Sequence, residues 1–298
     1  MKNLSNFKET KNSNSNNLEI RKTYCVIGDP IDHSLSPTMH NAAFNYLKLN
    51  STYIAYRVSK EDLKISLESL KAINIAGFNV TIPHKVTIMK YLDVIDDMAN
   101  KAQAVNTVKN VDGKFIGYNT DIFGFIDPIH KRKINLNGLK ILVIGAGGAS
   151  RAAITALSME EGIKKIVIAN RTIDNAKLLS KMGSALGLDC TYDYIKNINS
   201  LIIGSDLIIN TTSLGMNDEN SLHINEKSLT ENQIVYDIVY KPINTYLIQI
   251  AKKSSSKIIY GYEMLLAQGA EAFKIWTGYD PPIEIMKKSL FGIFGEPT

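Results

Sequence analysis

Cysteine is nearly absent from this 298-residue chain. Cys25 and Cys190 are too few for the disulfide framework of a small secreted protein, and their spacing matches no metal pattern. A reducing, cytoplasmic compartment and no metal centre are therefore expected. Long apolar runs are lacking as well. None approaches the roughly 18 residues that span a bilayer, so no membrane partner is expected. The first residues, MKNLSNFKETKNSNSNNLEI, hold no apolar stretch of the kind a secretory signal needs. Residues 1–20 read as a disordered tail. Charge of one sign is also scarce. A formal net charge of +5, carried mostly by scattered lysines, makes no case for nucleic acid, although it suits a small anionic ligand.

What is present is a series of short apolar β-type runs separated by helical periodicity. The run TYCVIGDP carries a strand from Thr23 to Ile27, stopped by Gly28, Asp29 and Pro30. Ser36 and Pro37 then start a helix with an apolar stripe through Met39, Ala43, Phe44 and Leu47. A strand from Ser51, a helix from Glu61 to Ile73 and the run IAGFNVTI up to Pro83 complete a βαβαβ order. That order predicts a mostly parallel sheet. A second α/β unit opens with a strand from Leu139 to Ile144. Further strands are expected at Lys165 to Asn170, Asp206 to Thr212, Ile234 to Tyr240 and Lys257 to Gly261, with helix or loop between them. EMLLAQGAEAFKIWTG is a strongly amphipathic helix with no strand behind it, and Trp276 in it reads as packing. The expected class is α/β with two domains, 21–127 and 128–262, divided near Asp127 and Pro128, followed by C-terminal helices over 263–298.

The loop Gly145-Ala146-Gly147-Gly148-Ala149-Ser150 lies between a buried strand and an Ala-rich helix. Glycines there permit a tight turn and let backbone N–H groups approach a pyrophosphate at the positive end of the helix. A packing turn is the plainer alternative. An NAD-binding unit would place Asp or Glu at the end of the next strand, about 20 residues on, to hold the ribose 2′-hydroxyl. This chain has Asn170, Arg171 and Thr172 instead. A guanidinium takes a 2′-phosphate bidentately, which favours NADP. NRT is also compatible with a simple helix start, with Thr172 as the N-cap.

The first half holds polar residues that neither strand nor helix requires. Ser34 and Ser36 follow the first strand, where two hydroxyls would clamp a carboxylate, although Ser-x-Ser-Pro is also an ordinary helix start. Thr81 and Lys85 close GFNVTIPHK, and Asn106 and Asp121 stand at the ends of apolar segments in AVNT and GYNTD. Singly, such a lysine is a surface charge and such an aspartate a turn residue.

In combination, GDPIDHSLSPTMHN, GFNVTIPHK, AVNTV, GYNTD, GAGGASRA, NRT, NTTSLGM, the stretch from Asp237 to Pro242 and GYEMLLAQG resemble the shikimate dehydrogenases in sequence and in order. The resemblance runs from about Thr23 to the C-terminal helix. It implies a substrate domain, a Rossmann-type NADP-binding domain and C-terminal helices that pack back on the first domain. It further implies that Ser34 and Ser36 bind the substrate carboxylate, and that Thr81, Asn106, Asp121, Tyr240 and Gln268 bind ring hydroxyls. Lys85 would be the acid/base residue, paired with Asp121. Gly145, Ala146, Gly147, Gly148, Ala149, the segment Asn170, Arg171, Thr172 to Asn175, Ile238 and Gly261 would line the NADP site, with Asp97 close by. Members of that family often carry a second basic residue where this chain has Asn175, which places more of the 2′-phosphate grip on Arg171.

The implied reaction is the reversible NADPH-dependent reduction of 3-dehydroshikimate to shikimate, in aromatic amino-acid biosynthesis. A hydroxylated ring needs such donors and acceptors, because an apolar pocket would leave its hydroxyls unpaired. The developing alkoxide needs a proton and a positive charge, which Lys85 supplies, and no metal is required. The implied assembly is a monomer or homodimer. Two alternatives remain at this point: a quinate/shikimate dehydrogenase using NAD, and a non-catalytic NADP-binding sensor on the same fold.

Overall fold

The computed structural model describes residues 21–216 and 222–295; the tail expected over residues 1–20 lies outside them. In chain order the first half contains β1 (Lys22–Gly28), α1 (Ser36–Tyr46), β2 (Ser51–Arg57), α2 (Leu63–Ala72), β3 (Gly77–Val80), β4 (Val94–Ile95), α3 (Asp97–Ala102), β5 (Thr107–Val111), β6 (Lys114–Tyr118) and α4 (Asp121–Lys131). The second half contains β7 (Lys140–Ile144), α5 (Gly148–Leu157), β8 (Lys165–Asn170), α6 (Ile173–Ala185), β9 (Cys190–Tyr194), α7 (Ile198–Ile203), β10 (Leu207–Asn210), β11 (Ile234–Asp237), α8 (Tyr246–Lys253) and β12 (Lys257–Tyr260). Helices α9 (Gly261–Thr277) and α10 (Ile283–Phe294) follow.

The strands form two six-stranded sheets, giving a two-domain α/β fold. The first has the order β2-β1-β3-β5-β6-β4. Strand β1 runs parallel to β2 and β3, whereas β3–β5 and β5–β6 are antiparallel. The antiparallel pair β5–β6 turns through Asp112 and Gly113, both at positive φ, a two-residue Asp-Gly hairpin. The second sheet, β12-β11-β10-β7-β8-β9, is parallel throughout. That is the doubly wound Rossmann order, with its direction reversing between β7 and β10. A strand such as β7, buried from Ile141 to Ile144 with helices on both faces, is what a parallel sheet requires.

One face of the first sheet is covered by α1, α9 and α10. Tyr24, Met39, Phe44, Tyr53, Phe273, Trp276, Met286 and Leu290 form a single cluster there. The Trp276 indole donates to the Val108 carbonyl at 2.9 Å, so a residue late in the chain ties down a strand of the first sheet. The other face packs on α2 through Leu63, Leu67 and Leu70. Helix α4 lies along both α5 and α9 and contains Asp127 and Pro128, where the boundary between domains was expected.

Four strand readings are corrected. CTYDY, expected as helix or loop, is the edge strand β9. The strands expected through Thr212 and Tyr240 stop at Asn210 and Asp237. Asn210 Oδ1 accepts from Thr212 N, and Asp237 Oδ1 accepts from Val239 N. These side chains turn the backbone two residues on and so end the ladder. Gly261, expected at a strand end, opens α9 instead.

His40 lies wholly inside the aromatic cluster, stacked on Tyr53 at 4.5 Å. Neither ring nitrogen has a partner among the described residues. Burial lowers its pKa from 6.5 to about 3. Protons therefore bind the unfolded chain better, and stability falls as pH drops from about 6.5 toward about 3. At pH 5 the expected loss from this group is about 2 kcal/mol relative to pH 7. His40→Phe should remove that part of the acid sensitivity. Urea unfolding followed by the fluorescence of Trp276 tests this, and equal acid losses in variant and wild type would refute it.

Candidate active site

The first sheet brings the polar residues of the first half to one edge. Ser34 follows β1, Thr81 and Lys85 follow β3, and Asp121 follows β6. Because β5 runs antiparallel to both β3 and β6, Asn106 enters β5 at that same edge.

Three of these side chains bond directly. Lys85 Nζ donates to Asp121 Oδ2 at 2.6 Å, and Asn106 Nδ2 donates to Asp121 Oδ1 at 2.8 Å. The pair is well shielded, with side-chain exposures of 15% for Lys85 and 6% for Asp121. Asp121 is the first residue of α4, and its N–H donates to Asn119 Oδ1. This buried ion pair is fully hydrogen-bonded at the carboxylate, with the ammonium at the edge of solvent. Such an arrangement holds a cation and a proton donor at one fixed point.

Around the triad, Thr81 packs its methyl against Gly28. Ser36 opens α1, and the Ser36 N–H lies 3.4 Å from Ser34 Oγ. The hydroxyls thus sit beside the positive end of a helix, a favourable place for a carboxylate. Tyr240 reaches this loop from the second domain. Burial raises its phenol pKa, and a hydrogen bond from the Leu35 backbone partly opposes that rise. Gln268, buried in α9, packs beside Gly124 one turn into α4, and its amide donates to Leu265 O at 2.8 Å.

The remaining candidates gather at the carboxyl ends of the second sheet. Gly145 has φ +111°, which side-chain-bearing residues rarely adopt, and a methyl there would meet Thr211 Oγ1 at 2.7 Å. Gly147 stands at the N-cap of α5 and donates to Ser150 Oγ at 3.1 Å. Gly148 and Ala149 form the first turn of α5, and Ala146 is half-buried. At the end of β8, Asn170 donates to Thr172 O at 2.9 Å. Thr172 is the N-cap residue of α6, but its hydroxyl makes no cap bond. Arg171 and Asn175 are exposed, and the guanidinium has no ion pair or hydrogen bond among the described residues. Ile238 and Gly261 pack against each other. Asp237, held by Asn210, Thr245 and Val239, anchors the segment from Ile238 to Tyr240. Burial raises its pKa to about 6. Asp97 is exposed in the first turn of α3, which packs on α5, and its carboxylate bonds to no other candidate residue.

A second ring of residues was not picked out from the sequence. Asn79 donates to Asn106 O and Thr107 Oγ1, and Thr107 donates to Asn106 Oδ1. Asn106 Oδ1 also accepts from the Thr120 backbone at 2.7 Å, and Tyr53 donates to Asn79. The available signal was the Asn-Thr dipeptide that recurs in the first half, at Asn106-Thr107 and Asn119-Thr120. Its partners face each other only once β5 and β6 pair.

The second site suits NADP: an open glycine turn at a helix N-terminus, at the point where strand order reverses, with an unpaired cation one strand away. Among the described residues no group of three His, Cys, Asp or Glu side chains could hold a metal, and no helix is long and apolar enough to cross a membrane. Family models match over three segments: the shikimate dehydrogenase substrate binding domain at residues 26–108, shikimate/quinate 5-dehydrogenase at 129–239, and the shikimate 5'-dehydrogenase C-terminal domain at 261–291. The shikimate dehydrogenase (NADP(+)) of Nitrosopumilus maritimus is 48% identical over 273 residues, covering 92% of this chain and 99% of that protein. A solved shikimate dehydrogenase in complex with NADP+ superposes with a TM-score of 0.84 at 41% identity, covering 92% of this chain and 96% of that one. The enzyme of Thermus thermophilus in complex with NADP(H) and shikimate gives 0.79 at 32% identity, covering 90% and 98%. With that identity spread over nearly its whole length, the chain belongs to the shikimate dehydrogenase family.

Proposed function

We propose that this protein catalyses the reversible NADPH-dependent reduction of 3-dehydroshikimate to shikimate, a step in aromatic amino-acid biosynthesis. The observation that carries this reading is the Lys85–Asp121–Asn106 triad at the sheet edge facing the glycine loop of the second domain. It is an oxidoreductase acting on a CH–OH group. Gly145 to Ala149, Arg171, Thr172, Ile238 and Gly261 would hold NADP, with Asn170, Asn175 and Asp97 at the margins. When bound, that cofactor supplies the hydride.

The chain's own residues supply position, charge and a proton. Ser34 and Ser36 bind the substrate carboxylate beside the N-terminus of α1, which fixes one end of the ring. Thr81, Asn106, Tyr240 and Gln268 take ring hydroxyls. The Lys85 ammonium donates a proton to the ketone oxygen as charge develops there, and Asp121 holds that amine and accepts from a substrate hydroxyl. Tyr240 comes from the second domain and sits beside Leu35, so the pocket is completed only when both domains contribute.

Steady-state rates with shikimate and quinate, each with NADP and NAD, test the assignment. Shikimate with NADP should give the highest kcat/KM. A preference for quinate with NAD would make the chain a quinate/shikimate enzyme. Absence of turnover despite NADP binding would make it a sensor.

A further inference from the structure

We infer that Gly148, in the loop proposed to hold the cofactor, is a positioning residue for Lys85. A methyl group on Gly148 would lie 2.9 Å from Lys85 Cβ, 2.9 Å from Cδ and 3.4 Å from Cγ. Three successive carbons of the lysine stem therefore rest on the bare Cα of a glycine in the other domain. With its stem laid against this surface, the side chain extends to Asp121 and its amine reaches Oδ2.

Neither partner is free to yield. Lys85 Cβ is set by a backbone whose carbonyl accepts from Val105 N at 2.8 Å, and the neighbouring His84 is buried with its ring on Val58 O. Gly148 begins a helix whose Ala152, Ala153, Ile154, Ala156 and Leu157 are completely buried. One turn along, Arg151 donates to Gln103 Oε1 at 2.8 Å, a second cross-domain hold that keeps α5 against the substrate domain.

Gly148 has helical backbone, and alanine is the better helix former. Local conformation therefore does not call for glycine at this position. Contact with Lys85 does. Gly147 differs, since a methyl there meets nothing within 4 Å. The two adjacent glycines thus serve different partners: Gly147 leaves room for the phosphates, and Gly148 leaves room for the lysine.

The inference rests on the reading of Lys85 as the proton donor, but its contact is testable without it. Gly148→Ala and Gly147→Ala are compared in the full chain, first without cofactor. Amine acylation of Lys85, read by peptide mass spectrometry, should rise several-fold in Gly148→Ala, because the displaced amine leaves its shielded place on Asp121. In Gly147→Ala it should stay near the wild-type value. In turnover, Gly148→Ala should lower kcat by about 10- to 100-fold, as small misplacements of a catalytic group do, with a smaller change in KM for NADP. Gly147→Ala should place its larger change on that KM.

Wild-type labelling of Lys85 in Gly148→Ala, or equal labelling in both variants, would overturn the proposal. A Lys85→Ala enzyme with normal kcat would instead overturn the proton-donor role and leave the labelling result standing.

Discussion

Lys85→Ala is expected to lower kcat by about 10²- to 10⁴-fold, the usual contribution of a general acid/base group. That corresponds to about 3 to 5 kcal/mol of transition-state stabilisation. Beyond its standing pair with Asp121, the ammonium gains a negative charge to stabilise on the substrate only as the ketone oxygen becomes an alkoxide, so its loss falls on the transition state more than on the bound substrate. KM for shikimate should change far less than kcat. The substitution also leaves Asp121 buried, with Asn106 the one side chain among the described residues still donating to its carboxylate. An uncompensated buried carboxylate lowers stability, so kcat must be measured on protein shown to be folded by Trp276 fluorescence. Adding Asp121→Asn to Lys85→Ala would remove that charge, and the double variant should recover stability without recovering activity. A Lys85→Ala enzyme within a few-fold of wild-type kcat would remove the lysine from this role.

Arg171→Ala is expected to raise KM for NADP about 10- to 100-fold, the effect of losing a charge-assisted contact worth about 1.5–3 kcal/mol. KM for NAD should hardly move, because the guanidinium has nothing to bind on a bare ribose. The structure favours this reading over a simple helix start. Arg171 follows β8 with no ion pair among the described residues, and the Thr172 hydroxyl is not spent on capping α6. Asn175, in the next turn, is exposed but uncharged. Asn175→Arg should therefore increase the preference for NADP. Equal KM changes for both cofactors in Arg171→Ala would show that backbone groups of the loop hold the phosphate, and the selectivity argument would fail.

The two kinds of site differ in how far they can be read from a chain. The glycine loop is local: strand, turn and helix start are contiguous, and GAGGAS between KILVI and an Ala-rich helix carries its own geometry. Arg171 is similarly legible, since it needs only the end of the next strand. Lys85, Asn106 and Asp121 came forward through the order of family motifs. Nothing in the spacing of 85, 106 and 121 predicts contact.

Where the sequence reading differed from the structure, non-local pairing accounts for β9 and local side-chain turns account for the shortened strands. CTYDY has little apolar character and becomes a strand because β8 offers a free edge. IVYDIVY is β-prone throughout, yet Asp237 turns the chain at Val239 through its own side chain. The Asp-Gly hairpin has its own local signal in VDGK, separate from the βαβ pattern.

By itself the sequence determined the α/β class, the order of the two α/β units, the glycine loop and the cation at the end of the next strand. Each of these follows from residues within one or two elements, where hydrophobic period and turn chemistry act over short distances. The tertiary structure alone decided which polar residues meet. Antiparallel pairing of β5 with β3 and β6 carries Asn106 to the edge that holds Lys85 and Asp121, and docking of α5 lays Gly148 against the lysine stem. Those contacts join residues far apart in the chain. They form as the apolar faces of both sheets are buried, and in that arrangement the polar groups of the triad partner one another.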